Sequence, residues 1–104
     1  MAYNLIITRH ADALLNRLVS YLMVQKQNPQ AARHLLDAVS AVYDRLEENP
    51  LQFPISRDPW LAARRYRVAV TLGMNYIVVF KVEEFCVTVL GVFHGSENYP
   101  NKLN

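Results

Sequence analysis

The chain has 104 residues, a length at which one domain is expected across residues 1–104 and folding hides somewhat over ~60% of the unfolded surface. With 52% hydrophobic and 19% charged residues it is neither disordered nor fibrous in composition, and its formal net charge of +2 is too small to prove a nucleic-acid partner. No apolar run approaches the ~20 residues that cross a bilayer, the amino terminus lacks a secretory pattern, and Cys86 has no second cysteine for a disulfide or a shared metal, so a soluble cytoplasmic protein without membrane contact is expected.

Tyr3 to Thr8 is β-branched and aromatic and predicts a first strand. From about Asp12 to Lys26, Leu14, Leu15, Leu18, Val19 and Leu22 recur at helical spacing, which predicts an amphipathic helix. Asn28-Pro29 restarts a helix: Asn accepts an otherwise orphaned amide, and Pro at the first helical position gives up no intrahelical bond. This second helix carries Ala32, Leu35, Leu36, Val39, Tyr43 and Leu46 to about Glu48, where Asn49-Pro50 stops it. The short link makes the two helices an antiparallel hairpin.

Prolines at 50, 54 and 59 make the stretch to Leu61 an ordered connection without a regular element, carrying Phe53 and Trp60. Three strands follow, roughly Arg64–Thr71, Asn75–Val82 and Phe85–Phe93, joined at Leu72-Gly73-Met74-Asn75 and Glu83-Glu84 into an antiparallel meander. The polar tail His94-Gly95-Ser96-Glu97-Asn98-Tyr99-Pro100 comes last. The fold class is α+β, with both helices on one face of the sheet and the other face free for function.

Charge is distributed unevenly along this order. Residues 57–82 hold Arg57, Arg64, Arg65, Arg67 and Lys81 against Asp58 alone, whereas residues 83–104 hold Lys102 against Glu83, Glu84 and Glu97. Strand alternation would put Arg65 and Arg67 together on one face, where planar guanidinium donors suit phosphate or carboxylate; the bland alternative is a solvated strand face. His94, at the end of the last strand, could exchange protons near neutral pH or be an ordinary surface residue. Tyr99 could stack on a base, donate its hydroxyl or anchor the tail. Tyr43, Tyr66, Tyr76, Phe80, Phe85 and Phe93 read as core aromatics. The adjacent pairs Glu47-Glu48 and Glu83-Glu84 point apart into water, the three histidines show no metal-ligand spacing, and no phosphate loop or nucleophile motif is present.

The order of these pieces resembles the RelE/ParE toxin superfamily over nearly the whole chain: a first strand, Asn28-Pro29 with Ala31-Ala32 opening the second helix, Leu46 before Asn49-Pro50, the Arg65-Tyr66-Arg67 segment, and Val92-Phe93-His94-Gly95 ending the last strand. The resemblance implies the toxin of a type II toxin–antitoxin system, without a cofactor, neutralised by a cognate antitoxin with which it hetero-oligomerises, or self-associating when free. Members similar to ParE inhibit DNA gyrase and need no catalysis. Members similar to RelE are ribosome-dependent endonucleases that cut mRNA without a metal, and on that reading Arg67, His94 and Tyr99 would be catalytic. The lysine-rich stretch of several nuclease members is replaced here by Gln52-Phe53-Pro54-Ile55-Ser56-Arg57, and the Phe93-His94-Gly95 ending is similar to the ParE branch. The ParE-like reading is therefore preferred, with Arg57, Arg64, Arg65 and Arg67 contacting the target. A purely docking, non-catalytic interaction module is the further alternative.

Overall fold

The computed structural model describes residues 2–71, 73, 75–97 and 99–103, apart from the side chains of Asn101 and Lys102. Leu72 and Met74 of the expected first hairpin turn, and Asn98 of the tail, lie outside the described residues.

Strand β1 (Asn4–Ile7) ends at Thr8. The Thr8 hydroxyl donates to the Val89 carbonyl at 3.0 Å, and its oxygen accepts the Ala11 amide at 3.1 Å. One residue thereby ends the strand and N-caps α1 (Arg9–Ser20), which begins ahead of the Asp12 start read from periodicity. The helix also stops short of Lys26, because residues Tyr21–Gln25 form a π-helical turn in which the Lys26 amide reaches the Tyr21 carbonyl at 3.1 Å. Asn28 caps α2 (Pro29–Glu48) as its sequence signal requires, its side chain accepting from Ala31 at 3.1 Å. Ala32, Leu35, Val39, Val42 and Leu46 are the buried stripe of α2. Leu36 and Tyr43, placed on that stripe from sequence, are exposed and half-buried respectively, since the true stripe runs one step round the helix through Val42.

The proline-rich connection contains structure that its composition concealed. Pro50–Gln52 is a 3-10 turn, and Pro59–Ala63 is a short helix, α3, capped by Asp58, whose Oδ2 accepts the Leu61 amide at 3.0 Å. Strand β2 (Arg67–Val70) is consequently shorter than the predicted 64–71, while β3 (Tyr76–Glu83) and β4 (Cys86–His94) match their expected ranges closely.

The sheet order is β1-β4-β3-β2, with β1 parallel to β4 and the other pairs antiparallel. Phe80 pairs with Val89 and Val79 with Gly91, so Leu90 is the extra residue of a β-bulge. The bulge changes the phase of β4: Val87 and Val89 face the helices before it, and Val92 after it. Ala11 and Leu15 of α1 and the α2 stripe join these valines, Ala69, Val78 and Phe80 in one core, as expected of two amphipathic helices on one sheet face.

The opposite face is free only in part. Val79 and Phe93 alternate onto it and are 0% and 1% exposed. Tyr99, on the closing 3-10 turn, stacks on Phe93 with ring centroids 5.6 Å apart, and Leu103 lies over Gly91, where an added Cβ would come within 3.2 Å of its Cδ2. The tail folds back over Phe93 and Gly91, the large aromatic being put there by the β-bulge, while Ile6 of β1 and Val70 of β2 on the same face stay 49% and 54% exposed. Of the expected core aromatics, Phe85 is a further exception: it sits in the β3–β4 turn, 56% exposed, with its ring tilted against Tyr3 at 6.1 Å.

Candidate functional site

Two places collect the residues singled out from sequence. The first is the corner where α3 turns into β2. Phe53 is buried edge-on against Phe80 at 6.0 Å and fixes the preceding loop on the core. From there the chain pairs with β2: Ser56 donates its amide to the Tyr66 carbonyl at 2.9 Å, Val68 donates to Pro54 at 3.2 Å, and Ile55 bridges Arg67. Asp58 and Pro59 then start α3, so Trp60 and Arg64 fall four residues apart on one side of it. The Arg64 guanidinium lies 3.6 Å from the Trp60 ring centroid and donates to the Trp60 carbonyl at 2.9 Å. Tyr66 meets the other edge of the indole at 6.3 Å.

Arg65 reverses the chain between helix and strand with φ of 59°, in the left-handed region. That conformation costs a residue with a Cβ about 1 kcal/mol or more, and glycine is the usual occupant after a helix. Arg65 therefore does not stand beside Arg67 on a strand face, as alternation had suggested: it precedes β2 altogether. Arg67 pairs with Phe80, on the helix-covered face rather than the opposite one, and its Nη1 donates to the Phe53 carbonyl at 2.6 Å. Three of the four expected arginines still converge, and Lys81 joins them. Arg64, Arg65, Arg67 and Lys81 line one groove of about 540 Å³, together with Leu51, Ile55, Tyr66, Val82 and Glu83. Lys81 is held at 2.9 Å from Glu83, whose hydrogen bond and then charge raise the ammonium pKa. Arg57 is exposed on the loop before α3 and does not line this groove.

The second place is the end of β4. His94 pairs with Tyr76 across the strands, rings edge-on at 5.2 Å. Its Nδ1 lies 2.7 Å from the Ser96 hydroxyl and accepts the Ser96 amide at 3.2 Å, while the His94 amide donates to Glu97 at 2.9 Å. An Nδ1 that accepts the amide places a neutral ring's proton on Nε2. At Gly95 a Cβ would fall 2.2 Å from Asn75 Oδ1, so a larger residue there would displace the exposed Asn75 side chain. A cleft of about 810 Å³ opens beside His94, between the sheet end and one side of α1 and the π-turn, with Leu14, Leu18 and Tyr76 among its walls and His10, Arg17 and Lys26 among its polar groups. Burial, then Tyr21 and Glu97, raises the Tyr76 pKa.

These two places are far apart. Arg67 pairs with Phe80 and His94 with Tyr76, four residues away along β3, which is about 13 Å at a strand rise of ~3.3 Å, and β3 itself lies between them. Tyr99 is committed to Phe93 on the other face. Arg67, His94 and Tyr99 are thus not assembled around a common point. Sequence reasoning missed Trp60 as the platform for Arg64 and Lys81 as the fourth cation; the four-residue Trp–Arg spacing behind Asp58-Pro59 was the signal for the first.

Comparison with known proteins agrees with this fold. No curated protein sequence matches the chain. Among solved structures, one from the chromosomal ParDE toxin–antitoxin system of P. aeruginosa is similar with a TM-score of 0.71, at 18% identity over 89% of this chain and 96% of that one. A chain of the RelBE2 toxin–antitoxin complex of Mycobacterium tuberculosis is similar with a TM-score of 0.61, at 23% identity over 90% and 99%. The family model for the ParE toxin of type II toxin–antitoxin systems matches residues 5–99. That span includes α1, α2, α3, the basic corner and all of the sheet but Asn4, and the chain belongs to the ParE toxin family of type II toxin–antitoxin systems.

Proposed function

We propose that this toxin acts by binding DNA gyrase, without catalysis of its own, and that a cognate antitoxin neutralises it. The observation that carries the reading is the separation of Arg67 from His94. An RNA-cleaving site needs a phosphate-stabilising cation and a proton-transfer group around one scissile bond, within hydrogen-bond reach. Here about 13 Å and a strand divide them, and each is tied into its own local network. A binding mechanism asks only for a presented surface, which the basic corner supplies.

An antitoxin partner is supported by the family and by the surface. Tyr21, Met23 and Val24 on the π-turn and Leu36 on α2 are large and exposed, the kind of apolar area that a partner covers. The test of the target uses purified toxin in two assays. Gyrase supercoiling should be inhibited, and translation in a cell-free extract should continue at its normal rate. Rapid arrest of translation with cleaved messages would overturn the reading.

A further inference from the structure

We propose that the corner between α3 and β2 binds the phosphate backbone of duplex DNA, with Arg65 as a contact residue. The proposal deepens the gyrase reading, since gyrase holds its substrate as duplex DNA, but the binding itself is a property of this chain. Arg65 occupies a left-handed backbone position that glycine fills without strain, and its side chain is exposed. Among the described residues its guanidinium makes no hydrogen bond, ion pair or ring contact. No polar or ring contact within the fold therefore calls for an arginine there. Its neighbours are held in place: Arg64 flat on Trp60 and Arg67 on the Phe53 carbonyl, each with further N–H donors to give.

The ligand chemistry follows from what the groove lacks. A protein partner needs an apolar centre that excludes water. Among the described residues lining this groove, Leu51 is the one large apolar side chain that is exposed, Ile55, Tyr66 and Val82 being half-buried, whereas Tyr21, Met23, Val24 and Leu36 lie elsewhere. Four cations against the single carboxylate of Glu83, already bound to Lys81, suit phosphates, which need charge and N–H donors rather than apolar contact.

The test titrates the purified full chain onto a fluorescent duplex of about 20 base pairs between about 50 and 200 mM salt. At ~0.9 in the log–log slope per phosphate contacted, about three contacts weaken binding by roughly 40-fold over that range. Arg65→Gly should keep or raise the melting temperature, bind the duplex more weakly and reduce the salt dependence to roughly 12-fold, the loss of one contact. Arg33→Ala, which removes an exposed arginine from α2, should leave the slope unchanged. Absence of duplex binding at low salt, an unaltered slope in Arg65→Gly, or an equal loss in Arg33→Ala would overturn the proposal. Gyrase inhibition measured in parallel separates the two readings. Duplex binding that depends on Arg65 without inhibition of gyrase upholds the corner as a DNA site and removes the gyrase reading. Inhibition that depends on Arg65 without duplex binding means that the corner meets an acidic protein surface, and the DNA proposal fails alone.

Discussion

Tyr43 shows how a single side chain can be half committed to the core. Its ring packs against the buried cluster from α2, yet its hydroxyl is buried without a hydrogen-bond partner. An unsatisfied buried hydroxyl costs about 1–3 kcal/mol, so Tyr43→Phe should be neutral or stabilise the fold by up to about 1 kcal/mol in urea denaturation. Burial, and then the charge of Asp12, pushes the Tyr43 pKa up from 10.0 to about 12. A raised folded-state pKa favours the fold fully below the unfolded value, and that contribution is lost as pH climbs from about 10 toward about 12. The variant should accordingly lose less stability than the parent over that window. An equal loss in both would place the titrating group elsewhere. His94 gives the complementary residue-scale prediction. If its imidazole moves no proton for function, His94→Ala should lower toxicity by less than about 10-fold, whereas the ~10²–10⁴-fold loss typical of general acid–base catalysis would restore the nuclease reading.

At the scale of elements, what was legible depended on whether a local signal acted alone. Asn28-Pro29 announced α2, and its cap formed as the residue chemistry demands. Asp58-Pro59 is the same signal, but the surrounding prolines masked a helix of only five residues. Missing α3 had a consequence for the site. Without α3, the sequence reads Arg64 and Arg65 as the start of β2, and strand alternation puts Arg65 beside Arg67. The structure instead bends at Arg65 and brings the cations together by a turn, which no period of two could reveal. The partial cover of the second face was hidden for a similar reason: the β-bulge at Leu90 shifts the phase of β4 and so puts Phe93 on the face where Tyr99 of the tail stacks on it. The cap on α3 is open to test. Asp58→Ala should cost about 1 kcal/mol, or roughly 4–8 °C in melting temperature for a chain of this size, and should weaken target inhibition by loosening Arg64 and Arg65. Full inhibition in a variant destabilised by that amount would show that the corner needs no such support.

Across the whole molecule, the apolar and the basic surfaces lie toward opposite ends of β3. The cleft with Tyr21 and Lys26 adjoins Tyr76, whereas the basic groove adjoins Lys81 and Val82. Six residues of strand separate Tyr76 from Val82, about 20 Å. A partner that covers only the apolar end stabilises the toxin by mass action, by about 2.7 kcal/mol at a hundredfold excess over its Kd, without touching the arginines. Stabilisation and neutralisation should therefore separate. A full-length antitoxin, long enough to reach both ends, should raise the melting temperature and abolish target inhibition. A fragment restricted to the segment that seats on the π-turn and α2 should raise the melting temperature while the toxin remains active. Thermal shift and supercoiling assays on the same mixtures read the two effects independently. If every fragment that stabilises the toxin also silences it, the active surface lies at the apolar end, and the basic corner is not where this toxin meets its target.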